Sequence, residues 1–437
     1  MNSTTTSVTS AIYPDPAMRI LNRLLHNFHG AMALRLWNGI TYPIGQATPA
    51  FTLVVKDPTV LKQLVLNHNP IFLADAYFQD RIDFEGDLYA VLRLKSHFQT
   101  LSLSLLERCA LWVDAMRLPR MRTKALPSAH NTALHTGKLF SHDHSKKSDQ
   151  AAIAFHYDVS NDFYKLWLDE QMVYSCAYFE TPDDTLNQAQ RNKLDHICRK
   201  LRLASGERFL DIGCGWGALV CWAARNYGVR AHGITLSRKQ FEYAQQRIIN
   251  EGLGNLVSVE LRDYRDIEGE AVFDKVASVG MFEHVGLANL PTYNATVHRI
   301  LRPGGLFLNH GITHDEEGWK PSVDTKFINR YVFPDGELDT VSHIQRGMEN
   351  AGFEIQDVEA LRPHYSLTLR HWVQQLEAAH DKVLQYVSET AYRIWRLYMA
   401  ASALEFESGG TGVYQILASK SGAATHPLPF TRRDLYR

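Results

Sequence analysis

Between residues 208 and 361 short apolar runs alternate with amphipathic stretches, and this alternation is the strongest pattern in the chain. The runs at 209–212, 230–235, 257–261, 273–279, 306–311 and 353–361 read as strands buried on both faces. Segments between them, such as 218–226, 238–251 and 290–301, repeat their apolar residues at helical spacing. Turn residues at 226–228 and 302–305 supply the stops that βαβ units need. The order predicts an α/β domain with a Rossmann-like parallel sheet from about 186 to 362. After it, aromatic and aliphatic positions over about 367–407 predict a helical insertion. A last strand at 412–417 is expected to return antiparallel beside 353–361. Ahead of the core, 151–180 reads as helical and aromatic. A smaller α+β domain over about 15–125 combines a helix at 18–36, a strand at 51–55 and a helix at 58–66. Its segment 83–95 starts polar and becomes helical.

Composition changes this picture in two places. Residues 1–14 are rich in Ser and Thr and predict a disordered tail. Over 126–150 a basic linker is expected, and it carries on a charge run that starts earlier. Between Arg117 and Lys147 seven cations (Arg117, Arg120, Arg122, Lys124, Lys138, Lys146, Lys147) face one acid, Asp143, a net +6 with histidine neutral. The 437 residues as a whole sum to −1, which argues against a nucleic-acid binder. The N-terminus lacks the basic-then-apolar order of a secretory signal, and no apolar run approaches the roughly 20 residues of a membrane span. Cys109, Cys176, Cys198, Cys214 and Cys221 are scattered, with no CxxC pair. They predict reduced thiols, a cytoplasmic compartment and no metal site.

The chemistry starts at 210–217, Leu-Asp-Ile-Gly-Cys-Gly-Trp-Gly. A strand, a glycine turn and a helix in that order put backbone N–H groups where a ligand can approach. Read as G-x-G-x-x-A, the turn also fits a dinucleotide fingerprint. However, the strand at 230–235 ends without the carboxylate that a nicotinamide dinucleotide's ribose requires. With Asp211 in the turn, the D-x-G-x-G-x-G form resembles the first motif of the S-adenosylmethionine (SAM) methyltransferases. That resemblance implies SAM held by Asp211, Gly213 and Gly215, with Thr235, Ser237 and Gln240 at the ribose and Asp263 and Tyr264 at the adenine. Ser237 also reads as an ordinary helix N-cap.

A wider set of motifs, at 156–169, 173–179, 210–217, 233–237, 278–286 and 309–312, resembles the cyclopropane-fatty-acid synthase family over residues 150–418, including the mycolic acid cyclopropane synthases. The resemblance adds Tyr174 and Ser175 to the SAM site. It also implies a bicarbonate ion held by Cys176, Glu283, His310, Ile312 and Tyr365, the base for a reaction at the cis double bond of a phospholipid acyl chain. Such a reaction passes through a carbocation, which Tyr178, Phe179, Phe282 and Tyr365 are placed to stabilise by cation–π contact. A peripheral position on the inner face of the membrane is implied, through the basic run, and a homodimer is compatible with it. Other readings are a methyl-branching or methylene-forming lipid enzyme, a small-molecule N-methyltransferase and a non-catalytic lipid-binding scaffold. Glu283, an acid within the apolar run 279–285, is costly to bury without a role.

Overall fold

The computed structural model describes residues 15–26, 28–66, 71–119, 146, 160–319, 336–422 and 428–436. The predicted tail, and the predicted linker apart from Lys146, lie outside these. The chain divides into two compact units, Met1–Ala129 and His130–Arg437.

In the first unit, helix α1 (Pro16–Leu24) is followed by strands β1 (Met32–Arg35), β2 (Thr41–Ile44) and β3 (Phe51–Val55). Helices α2 (Pro58–Leu66) and α3 (Ile71–Phe78), strand β4 (Ile82–Gly86), and helices α4 (Leu88–Leu92), α5 (Leu94–Thr100) and α6 (Leu105–Arg117) complete it. The sheet order is β2-β1-β3-β4, with β1 and β3 parallel. Two expectations are corrected here. The helix at 18–36 stops at Leu24, whose carbonyl is taken by His97 Nε2 at 2.8 Å, and the chain turns into β1. The polar start at 83 is the strand β4, paired antiparallel with β3. Helix α6 is anchored through Asp114, whose buried carboxylate accepts from Arg19 and Arg23 of α1.

The second unit opens with α7 (Asn161–Lys165) and α8 (Leu186–Lys200). The core then alternates β5 (Arg208–Ile212), α9 (Ala218–Tyr227), β6 (Arg230–Thr235), α10 (Arg238–Asn250), β7 (Val257–Leu261), β8 (Phe273–Val279), α11 (Leu290–Ile300) and β9 (Leu301–His314). It closes with α12 (Val341–Asn350), β10 (Phe353–Ala360), α13 (Arg362–Ala378), α14 (His380–Val383), α15 (Glu389–Ser408) and β11 (Thr411–Lys420). The sheet order is β10-β11-β9-β8-β5-β6-β7. Strands β5 to β9 are mutually parallel, and β11 runs antiparallel between β9 and β10. Apolar layers cover both faces. One is built with α8, α9 and α10, the other with α11 and α12. The chain crosses from β7 back to β8, so the switch point of the sheet lies at the carboxyl ends of β5 and β8.

Three further expectations differ from the structure. Within 160–180 only α7 is helical. Asp169 captures the N–H groups of Gln171 and Val173, which holds the backbone out of helix. Residues 302–305 are not a break, because β9 starts at Leu301 and a register shift beside Phe273 absorbs the irregularity. The insertion starts at Arg362 rather than 367, one residue after Leu361 leaves the sheet by donating to Val413. Among the described residues no helix is long and apolar enough to cross a membrane.

Candidate active site

A cleft opens at the switch point, lined by residues from the ends of β5, β6 and β8 and from the segment before α8. Gly213, Gly215 and Gly217 take positive φ (+82°, +54° and +82°), a turn that side chains resist. A Cβ at Gly215 would meet nothing within 4 Å, so this residue faces open space, whereas one at Gly213 would strike Met281 at 2.9 Å. Ser237 caps α10 by accepting from Gln240 N–H, and Thr235 Oγ1 donates to Gln240 Oε1 at 2.8 Å. Thr235, Gln240 and Tyr264 therefore form one end of the cleft.

The other end is charged. Segment 173–179 is strapped down from two helices: Gln190 of α8 donates to the Ser175 carbonyl, while Ala177 and Phe179 N–H donate to Thr368 and His364 of α13. This puts Tyr174 and Ser175 on the cleft wall, where Lys193 Nζ donates to Ser175 Oγ at 2.8 Å. Asp211 lies on the same wall, buried, with its Oδ1 lacking a hydrogen-bond partner among the described residues. Burial pulls the Lys193 ammonium below its ordinary range and pushes the Asp211 carboxyl above its own, and the two charges oppose those shifts.

Beyond the cleft, Glu283 sits in a 3₁₀ turn after β8, with its Oε1 accepting from Ile312 N–H at 2.8 Å. Its Oε2 is buried and lacks a hydrogen-bond partner among the described residues, and burial pushes the carboxyl up to about 7. Two residues from Ile312, on the same face of β9, is His310. Its Nδ1 lies 3.2 Å from the Gln415 amide, and burial, helped by Lys193 and Lys200, keeps its pKa well below the ordinary value. His310 is therefore neutral. Gly311 between them is forced by packing, since a Cβ would fall 2.0 Å from the Phe282 ring.

Cys176 and Tyr365 meet at Leu361, whose carbonyl takes the Cys176 thiol at 3.8 Å and the Tyr365 N–H at 3.2 Å. Burial raises the thiol strongly, so Cys176 is no thiolate. The Tyr365 ring packs on Trp372 and Phe406.

Two anticipated cofactor contacts stand away from the cleft wall. Asp263 is held by the Arg265 side chain and N–H, and Ser237 is fully buried as the α10 cap. Tyr178 stacks between His196 and His364, and Phe179 on His371, which turns these rings toward histidines. The sequence reading missed Lys193 and Tyr398. Lys193 was detectable, because it falls on the apolar face of α8 with Leu186, Ala189, Leu194 and Ile197. Tyr398, pushed up to about 12 by burial, hydrogen-bonds Tyr174 and Ser402 and feels the Glu283 charge. It comes from the insertion, and only the fold shows where that packs.

The family model described as mycolic acid cyclopropane synthetase matches residues 144–416, and one described as a domain of unknown function matches 20–102. A probable fatty acid methyltransferase of Pseudomonas putida is 42% identical over 416 residues, covering 94% of this chain and 98% of that protein. The cyclopropane-fatty-acyl-phospholipid synthase of Escherichia coli K12 is 41% identical over 265 residues, 61% of this chain and 66% of the relative. A mycolic acid cyclopropane synthase solved with SAH and CTAB matches with a TM-score of 0.59 at 34% identity, over 62% of this chain and 98% of that one.

Two outcomes test this geometry. A carboxyl raised from 4.5 to about 7 binds its proton more tightly in the folded state, so its cost grows as pH rises from 4.5 and is complete above 7. Glu283→Gln is therefore expected to be more stable than the wild type at pH 8 by about 3 kcal/mol, with the difference closing by pH 5 in denaturant melts. Gly311→Ala is expected to cost about 2 kcal/mol through its clash with Phe282, measured in the same way.

Proposed function

The chain belongs to the mycolic acid cyclopropane synthetase family and is a SAM-dependent methyltransferase of the cyclopropane synthase type, and on that premise we propose that its acceptor is the cis double bond of a phospholipid acyl chain. The carrying observation is the buried Glu283 carboxyl, which holds one oxygen on Ile312, two residues along β9 from His310, and keeps the other without a partner among the described residues. An apolar substrate offers no charge to justify that carboxyl, whereas a proton-transfer step does.

SAM supplies a methyl group on a sulfonium, open to attack by a weak nucleophile. Its zwitterionic methionine end matches the charged end of the cleft, with Lys193 and Ser175 for the carboxylate and Asp211 for the ammonium. Thr235 and Gln240, at the other end of the cleft, would take the ribose and Tyr264 the adenine ring. Ser237 and Asp263 act through their neighbours, one by capping α10 and the other by fixing Arg265. Water is kept out by packed rings from two parts of the chain, since Tyr174 lies against Trp167, Trp372 and Trp395. With SAM bound, the alkene's π electrons would form the new carbon–carbon bond as the carbon–sulfur bond broke, and loss of a proton from the added methyl would leave its electrons to close the ring.

Bicarbonate held among Cys176, Glu283, His310, Ile312 and Tyr365 would supply the acceptor for that proton. The orphan Oε2 of Glu283 fits such a group. With its pKa near 7 the carboxyl can donate its own proton toward an anion instead of repelling it. Ile312 contributes indirectly, because its N–H is spent on Glu283.

Work at a phospholipid surface requires docking that is reversible and without a span. Most of the basic run from Arg117 to Lys147 lies outside the described residues, and Lys146, which is described, pairs with Asp266.

Expression in a bacterium lacking its own synthase tests the reading. Mass spectrometry of the membrane phospholipids should show acyl chains heavier by one methylene that survive hydrogenation unchanged. A product chain that takes up two further hydrogens at the added carbon on hydrogenation, or a methyl group found on a soluble amine, would overturn it. In the purified protein, Glu283→Gln and His310→Gln should each lower turnover by about 10²-fold while SAM affinity by calorimetry stays within a factor of a few. Cys176→Ser should keep substantial activity, because only a hydrogen-bonding role falls to a thiol held protonated.

A further inference from the structure

Helix α6 has two apolar faces, and among the described residues only one of them is covered. Leu111, Asp114, Ala115 and Leu118 point inward, with Asp114 tied to Arg19 and Arg23. On the opposite side Leu105 and Leu106 are 80% and 83% exposed and Trp112 is 54% exposed, with Val113 and Met116 also open to solvent. Cys109 is exposed among them. At about 100° per residue these six positions fill one continuous stripe about 120° wide.

The charges around the stripe say what it meets. Arg108 falls on one border and Arg117 on the other, both exposed. The helix carries two acids, and neither reaches the stripe. Glu107 is folded back onto the Ser104 N–H and hydroxyl as part of a capping box, and Asp114 is buried in its ion pairs. The sequence continues with Arg120, Arg122 and Lys124. An apolar band bordered by arginines, whose long stems let the guanidinium reach up to headgroups, is the pattern of a helix lying in a membrane interface. A second copy fits poorly, because a self-complementary contact through this stripe would set arginine borders against each other with no acid to pair them.

We propose that the exposed face of α6 docks the protein onto an anionic lipid surface, with Leu105, Leu106, Trp112, Val113 and Met116 entering the headgroup boundary and Arg108 and Arg117 on lipid phosphates. The inference rests on the acyl-chain reading for its purpose, but its test does not depend on turnover. Docking here explains how a chain without a spanning helix among its described residues would stay at the surface that holds its substrate.

The test is flotation of the full chain with phosphatidylglycerol-rich vesicles and with phosphatidylcholine vesicles, at low and physiological salt. Leu106→Ser with Trp112→Ser should weaken binding to anionic vesicles roughly tenfold at both salt levels. Arg108→Gln with Arg117→Gln should weaken it mainly at low salt and flatten its salt dependence. Ile249→Ser, at an exposed apolar position of α10, should change nothing. Val113→Ser with Met116→Ser carries the same expectation as the first pair, should that pair fold poorly. Wild-type vesicle binding in both apolar pairs would overturn the proposal. So would a switch from a larger to a smaller species in light scattering with vesicle binding kept, since that would mean a second copy covers the stripe. If the wild type floats as described but adds no methylene to lipid, the acyl-chain reading falls and the docking face stands. If it modifies lipid while α6 proves irrelevant to flotation, only the docking face falls.

Discussion

Ionisable groups held out of water at the carboxyl edge of the sheet govern everything else in the second unit. Lys193, Asp211, Glu283 and His310 are all buried, and among the described residues none sits in a fully compensated ion pair. Burial at that depth costs several kcal/mol per charge, and each group answers by shifting toward its neutral form. Such an arrangement persists only where surrounding structure fixes it and a ligand relieves it. The sheet order does the fixing. It brings the ends of β5, β6 and β8 together at the switch point and sets β9, with His310 and Ile312, alongside.

The same constraint accounts for the irregular segment ahead of α8. A helix there would bond its own backbone and carry Ser175 away from the cleft. Asp169, Gln190, Thr368 and His364 instead take up backbone groups of 171–179 one by one. Below it the polar residues of α8 continue in a row, with His196 and Lys200 both on Glu359 of the edge strand β10. One helix face thus serves the charged end of the cleft through Lys193 and the sheet edge through Lys200.

Elements whose local sequence agreed with their packing were legible in advance. The strands at 230–235, 257–261 and 273–279 carry their own apolar pattern, and the glycine turn at 213–217 is dictated by positive φ. What escaped depended on distant partners. Leu24 ends its helix because of His97, 73 residues away. The strand at 82–86 exists because β3 offers it a ladder. Glu283 could be singled out from sequence as an acid in an apolar run, yet its bond to Ile312 needed the fold.

Whether the buried charges exist for SAM is decided most directly by removing the matching charge from the ligand. Calorimetry would compare SAM with decarboxylated SAM on the wild type and on Lys193→Met. A buried ammonium that receives the methionine carboxylate should make the wild type prefer SAM by roughly tenfold or more, and the variant should lose most of that preference while binding the decarboxylated ligand much as before. A variant that keeps the full wild-type preference would contradict the assignment, and Lys193 would then only brace Ser175.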